Sequence, residues 1–180
     1  FKLPHLDTGL LYRGAAIASI DAGVSLEDGA AAAKIAGALS PEMLADPRLR
    51  TLEAGQAASV VAAHPQVRQT LLKLQRDFAE QPGGAVLDGR DIGSIVYPQA
   101  DVKIFVTAIV EERARRRAIE LRGRGQQADE GAILEALKER DRRDREREAS
   151  PLVIPADAHL LDTTNLDIEQ SIEAAAALVE

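Results

Sequence analysis

The sequence contains no cysteine and no tryptophan, and only two tyrosines and three phenylalanines among 180 residues. Without thiols there are no disulfides and no thiolate-held metals, a usage that suits a reducing compartment, so a cytoplasmic protein is expected. No apolar run approaches the roughly 20 residues that a membrane-spanning helix requires, and no signal-like segment opens the chain. A soluble protein without a membrane partner is the expectation. Scarce aromatics leave the core to Ala, Leu, Val and Ile, which favours helices packed on a sheet by aliphatic contacts. The length suits one domain, or a core with an insert, and is enough for a substantial hydrophobic centre.

Net positive charge is also lacking. The formal charge is −7, which argues against a nucleic-acid partner, since such proteins are usually basic. The distribution is uneven, however. Arginine far outnumbers lysine, and arginines crowd between Arg113 and Arg147. Guanidinium groups bind phosphate oxygens in a planar, bidentate manner, so a small anion such as a nucleotide suits a local cluster. The alternative is a solvated helix face laced with Glu/Arg pairs at i,i+4.

Elements alternate along the chain. "KLPHL" is a short Pro-broken strand leading to Asp7-Thr8-Gly9, where Asp7 or Thr8 can cap a helix with Leu10, Leu11, Ala15 and Ala18 inward and Gly23 at its end. "SLEDGAAAAKIAGAL" predicts an Ala-rich helix containing Gly29 and Gly37, and "SPEMLADPRLRT" a Pro-punctuated connector. In "HPQVRQTLLKLQRDFAEQ", Pro65 opens a helix whose stripe is Val67, Leu71, Leu74 and Phe78, with Arg68 one residue off it. "GGAVLDG", "DVKIFVTA" and "AHLLDTT" predict three buried strands. Strands alternating with helices give an α/β fold, a parallel sheet with flanking helices, whose ligands bind beyond the carboxyl ends of the strands. Asp7, Asp88 and Asp162 each stand at such an end.

Six segments in order, "LDTGLLYRGAA", "GQAASVVAAHPQVRQTLLKLQRDFA", "LDGRDIGSIVYPQADVKIFVTA", "ERARRR", "ERDRRDREREASPL" and "LLDTT", resemble the bacterial cytidylate kinases. These are P-loop nucleoside-monophosphate kinases that move the γ-phosphate of ATP to CMP or dCMP. The resemblance runs from about Leu3 to the final helix. It implies a core of 1–24, 83–121 and 151–180, a helical NMP-binding region over 25–82 and a lid over 122–150, in a monomer that acts on ATP, CMP and dCMP with Mg²⁺ and takes no nucleic acid.

The resemblance also implies site roles. Asp7, Thr8, Tyr12 and Arg13 lie on the acceptor side, with Arg13 at the acceptor phosphate; otherwise Arg13 is an exposed helix arginine. Ser59 and Arg68 face the pyrimidine, Arg68 donating to its O2/N3 edge, unless Ser59 is only a small residue at a packing contact. Arg90 supplies charge to the phosphate, Asp91 accepts from the exocyclic amine of cytosine, and Asp88 orients the ribose or its neighbours. "DG" alone is a common turn dipeptide, but Arg90 and Asp91 are not needed for turning. On the lid helix Arg140, Asp144 and Arg147 fall at i, i+4 and i+7, one face, with both arginines at the transferring phosphoryl group and Asp144 at the sugar. Arg142, Arg143 and Arg145 are assigned to a salt-bridged surface with Glu139, Asp141, Glu146 and Glu148. Asp162-Thr163-Thr164 lies where the family holds the ATP base, and His5, His64 and His159 receive no chemistry.

Two features depart from the family's pattern. There is no GxxxxGK[ST], the loop whose amides and lysine hold ATP phosphates and whose hydroxyl takes Mg²⁺. The expectation is that the sequence as given lacks the first strand, that loop and much of the first helix, which removes a central strand and leaves a gap in the sheet. The residues that bind the donor are accordingly unassigned, and no protein-held metal is expected. The stretch from Gly23 to Ser59 carries no strand-like insert and has Gln56 where asparagine is more usual. A catalytically inactive nucleotide-binding remnant, a regulatory module, and a kinase for another base remain open alternatives.

Overall fold

Two pairs of short parallel strands carry the polar ends on which the acceptor motifs sit. The computed structural model describes residues 1–148 and 150–179. Strand β1 (His5–Asp7) pairs with β2 (Val86–Asp88), placing Asp7 opposite Asp88. Strand β3 (Ile104–Thr107) pairs with β4 (His159–Asp162), placing Thr107 opposite Asp162. Among the described residues the pairs are not hydrogen-bonded to each other, so one continuous sheet is replaced by two. The three strands expected to be buried are correspondingly open. Val86, Val106 and Leu160 are 44%, 60% and 61% exposed, because a strand with a single neighbour lacks the cover that a central parallel strand receives.

Helix α1 (Thr8–Asp21) starts directly at the end of β1. Asp7 is its cap, accepting from the Leu10 amide at 3.3 Å. The inward face is Leu11, Tyr12, Ala15, Ala16 and Ser19; Leu10 and Ala18, expected inside, are only half-buried. The helix is apolar nearly all round, so its sequence alone does not select the face. Helix α2 (Gly29–Ala36) is capped by Asp28; Gly29 is its first residue, and Gly37, expected within it, is its C-terminal cap. The connector holds α3 (Pro41–Leu44) and a 3₁₀ turn (Pro47–Arg50), both opened by proline.

Helices α4 (Leu52–Val61) and α5 (Pro65–Ala79) complete a bundle with α1 and α2. Its centre is alanine-rich: Ala15, Ala16, Ala32, Ala36 and Ala58 are at most 4% exposed, around Leu11, Val61, Val67 and Leu71. Small side chains let the helix axes approach closely, and each buried Leu or Val contributes about 1.5–3 kcal/mol. On α5 the buried set is Val67, Arg68, Leu71 and Gln75, whereas Leu74 is 43% exposed. The helix is therefore rotated from its apolar stripe toward Arg68. A polar partner inside the fold draws that side chain inward.

After β2 the chain turns through Gly89-Arg90-Asp91 into a single π-helical turn (Ile92–Val96). Helices α6 (Val110–Gly123) and α7 (Glu130–Glu146) form a hairpin around Ala114, Ala118, Leu121 and Ile133, with Asp129 capping α7. Helix α8 (Ile168–Ala177) opens on an Asp167/Gln170 capping box. Among the described residues no helix is long and apolar enough to cross a membrane.

The turn after β2 requires glycine for space. A Cβ on Gly89 would sit 2.3 Å from Thr8 Oγ1 and 2.9 Å from Ile92 Cδ1. Ile92 can shift, but Thr8 Oγ1 is fixed by donating to the Asp88 carbonyl at 2.7 Å. Gly89→Ala is expected to lower unfolding stability by about 1–3 kcal/mol in a urea titration. A variant as stable as the parent would show that the Thr8 contact is dispensable.

Candidate active site

All twelve residues singled out from the sequence, though spread from Asp7 to Arg147, line one cavity of about 550 Å³. The β1–β2 pair brings Asp7 and Asp88 to one edge; α1 contributes Thr8, Tyr12 and Arg13; α4 and α5 contribute Ser59 and Arg68. The turn after β2 supplies Arg90 and Asp91, and the end of α7 supplies Arg140, Asp144 and Arg147. Five arginines thus meet four aspartates.

At one side Arg68 and Asp91 form a buried ion pair, their side chains 9% and 6% exposed. Arg68 Nη1 also donates to the Ala62 carbonyl at 3.1 Å, and the guanidinium lies 5.4 Å from the centre of the Tyr12 ring. Burial pushes the Tyr12 hydroxyl above its ordinary range, so Tyr12 stays neutral beside Arg68.

At the other side the lid arginines meet the turn. Arg90 Nε lies 3.4 Å and Arg140 Nε 3.8 Å from Asp144 Oδ2, and Arg147 Nη1 lies 3.3 Å from Asp144 Oδ1. Arg147 is the residue that caps α7, with extended backbone, so it is not the third member of a helical face. Its side chain returns to the cluster because Nε donates to the Ser150 carbonyl at 2.6 Å. Burial, then the Arg90 charge, lowers Arg140 to about 10. Arg13 and Arg147 are lowered too, each chiefly by burial. The buried nitrogens Arg13 Nε, Arg68 Nε, Arg140 Nε and Arg147 Nη2 make no hydrogen bond to the described residues. Desolvated cationic donors with no protein acceptor are what an anionic ligand satisfies.

Asp88 is raised by burial, against the opposing contact of His5, whose Nε2 lies 2.6 Å from Asp88 Oδ2. His5 was given no chemistry from the sequence, yet it abuts this site. His64 Nε2 instead bonds the Leu26 carbonyl at 2.8 Å, a structural role.

Asp162-Thr163-Thr164 lies outside this cavity. Asp162 accepts from Thr164, while buried Thr163 donates to the Thr107 carbonyl at 3.0 Å.

Two further contacts were not foreseen. Asp141, expected to pair locally, is 7% exposed and accepts two bonds from Arg113 of α6, at 2.5 and 3.1 Å, with Arg90 Nη1 3.8 Å away. Burial, which works to raise Asp141, is outweighed by Arg113, and the carboxyl stays below its usual range. Arg143 keeps the expected local pair with Glu139, at 3.3 Å, and also donates through Nη1 to Ser59 Oγ at 2.8 Å. Nothing in "ERARRR" sets Arg113 apart from its neighbours, and these pairs span 28 and 84 positions, beyond any local pattern. Arg142 does pair locally, with Glu139 and Glu146.

Comparison with known proteins places the chain in a family. The family model described as cytidylate kinase matches residues 1–180. A cytidylate kinase of Afipia carboxidovorans is 54% identical over 176 residues, covering 98% of this chain and 84% of its own. Those of Methylocella silvestris and Bradyrhizobium sp. (strain ORS 278) are 53% and 52% identical over 180 residues, covering all of this chain and 83% and 85% of theirs. With half of all positions shared over the length that builds the cavity, the chain belongs to the cytidylate kinase family of phosphotransferases.

Proposed function

We propose that the protein transfers the γ-phosphate of ATP to CMP or dCMP, and that the 550 Å³ cavity is the acceptor site. The observation that carries this is the convergence in one cavity of desolvated arginines having buried nitrogens without protein partners. An oxygen of the acceptor phosphate attacks the γ-phosphorus; the new P–O bond forms as the bond to the β-phosphate oxygen breaks, and ADP leaves. Such transfer depends on positioning and on neutralising charge on the equatorial oxygens, which places the demand on arginine.

In this reading Arg13, Arg90 and Arg147 hold the acceptor phosphate, and Arg140 with Arg147 reaches the transferring group. Asp144 aligns these arginines and meets the sugar. Asp7, Thr8 and Asp88 form the floor at the strand ends, while Tyr12, Ser59, Arg68 and Asp91 enclose the base. The segments 25–82 and 122–150 close over core segments 1–24, 83–121 and 151–180, expelling water before transfer.

The family implies ATP as donor, with Mg²⁺. Among the described residues no group of three or more His, Cys, Asp or Glu side chains is placed to hold a metal ion. Mg²⁺ is usually held by one or two carboxylates together with the phosphates of the nucleotide itself, so no such cluster is required. A cytoplasmic monomer acting on free nucleotides, with no membrane or nucleic-acid partner, completes the proposal. Family membership weighs against an inactive remnant.

The test is ADP formation by the full-length protein with MgATP and CMP, dCMP, UMP or AMP in turn. CMP and dCMP are expected to lead. Turnover of AMP as fast as that of CMP would remove the cytosine assignment.

A further inference from the structure

We propose that Arg143 is a positioning residue for base recognition, holding the Ser59 hydroxyl so that it donates into the acceptor cavity. This rests on Ser59 facing the base, as proposed above. A serine hydroxyl has one proton and two acceptor lone pairs, whereas a guanidinium can only donate. The bond from Arg143 Nη1 to Ser59 Oγ, at 2.8 Å, therefore occupies a lone pair and directs the proton elsewhere. The contrast with Ser19 is informative. Both serines are buried on helices, but the Ser19 hydroxyl donates to the Ala15 carbonyl one turn back at 2.7 Å. Ser59 has no such carbonyl acceptor among the described residues, and its proton is free to meet a ligand.

The direction follows from the cavities. Ser59 lines both the acceptor cavity and a second one of about 660 Å³; Arg143 lines only the second. The guanidinium belongs to the second cavity while Ser59 borders both, so the serine stands between Arg143 and the acceptor cavity that Arg68 and Asp91 also line. A neutral cytosine presents N3 and O2 as acceptors, so a serine locked as a donor matches it. Glu139 anchors the guanidinium, with Oε1 3.3 Å from Arg143 Nη2. Neighbouring Arg142 shows what a plain surface arginine does here: it is 57% exposed, and both its ion pairs stay on its own helix.

The experiment measures the CMP dissociation constant by calorimetry, and KM and kcat by ADP formation, on the full-length enzyme. Arg143→Ala is expected to weaken CMP binding and raise KM about three- to ten-fold, the range of one hydrogen bond, with kcat little changed. Arg143→Lys should recover part of the loss, since the ammonium also donates. Ser59→Ala should weaken binding to a similar degree, and Arg143→Ala added to Ser59→Ala should weaken it no further. If Arg143→Ala binds CMP like the parent, or its effect persists in full without the Ser59 hydroxyl, the proposal is overturned while a Ser59→Ala defect keeps the base site standing. If Ser59→Ala binds CMP normally, Ser59 does not meet the base, and both fall.

Discussion

Replacing Arg90 by alanine is expected to lower kcat/KM for CMP by about 10²–10³-fold while the protein stays folded. The size follows from what this side chain does and does not hold together. Arg90 lies in the turn between β2 and the π-helical turn, outside both apolar clusters, with its side chain 32% exposed. It faces Asp144 at 3.4 Å and Asp141 at 3.8 Å. Both acids keep other arginine partners, Arg140 and Arg147 for Asp144 and Arg113 for Asp141, so the truncation strands no buried carboxylate. Arg147 is a poorer probe. Its buried side chain also fastens the Ser150 carbonyl, so its removal mixes catalysis with local order. Arg90→Lys keeps the charge but loses the planar fork, and should regain only part of the rate. Near-normal kinetics with Arg90→Ala would show that the acceptor phosphate is held elsewhere.

The parts legible in the sequence were those fixed by neighbours along the chain. Asp7 caps α1 because a carboxylate stands one residue before the helix, and Pro65 opens α5 because its ring suits a first turn. The four strands were legible as short apolar runs ending in polar residues. What was hidden depends on partners far away. Arg68 turns inward because Asp91, 23 residues on, waits inside the fold, and that rotation leaves Leu74 in solvent where its periodicity placed it in the core. Asp141 reads as one more acid in a charged helix, and only the α6–α7 hairpin brings Arg113 to it. The separation of the sheet into two pairs, by contrast, matches the gap expected between the strands, although that gap was read from the family's pattern and not from any run of three or four residues.

Removing the Asp91 carboxylate should have two separable effects. Asp91→Ala leaves the buried Arg68 cation without its counter-charge, and breaking one side of such a pair typically costs about 3–5 kcal/mol. The Ala62 carbonyl and the Tyr12 ring remain as partners but carry no full negative charge, so a marked fall in Tm is expected. Asp91→Asn, which keeps an acceptor oxygen and the volume, should fall less. The second effect is on base choice. If Asp91 receives the exocyclic amine that cytosine has and uracil lacks, losing a charged acceptor should reduce the ratio of kcat/KM for CMP over UMP about 10- to 100-fold. That ratio is insensitive to the fraction of enzyme folded, because both substrates sample the same population. It therefore isolates recognition from stability when measured well below the variant's Tm. A fall in Tm with an unchanged ratio would leave Asp91 as the counter-ion of Arg68 and move base selection to another group. A fall in both is the expected result, because the same carboxylate that holds Arg68 also lines the acceptor cavity.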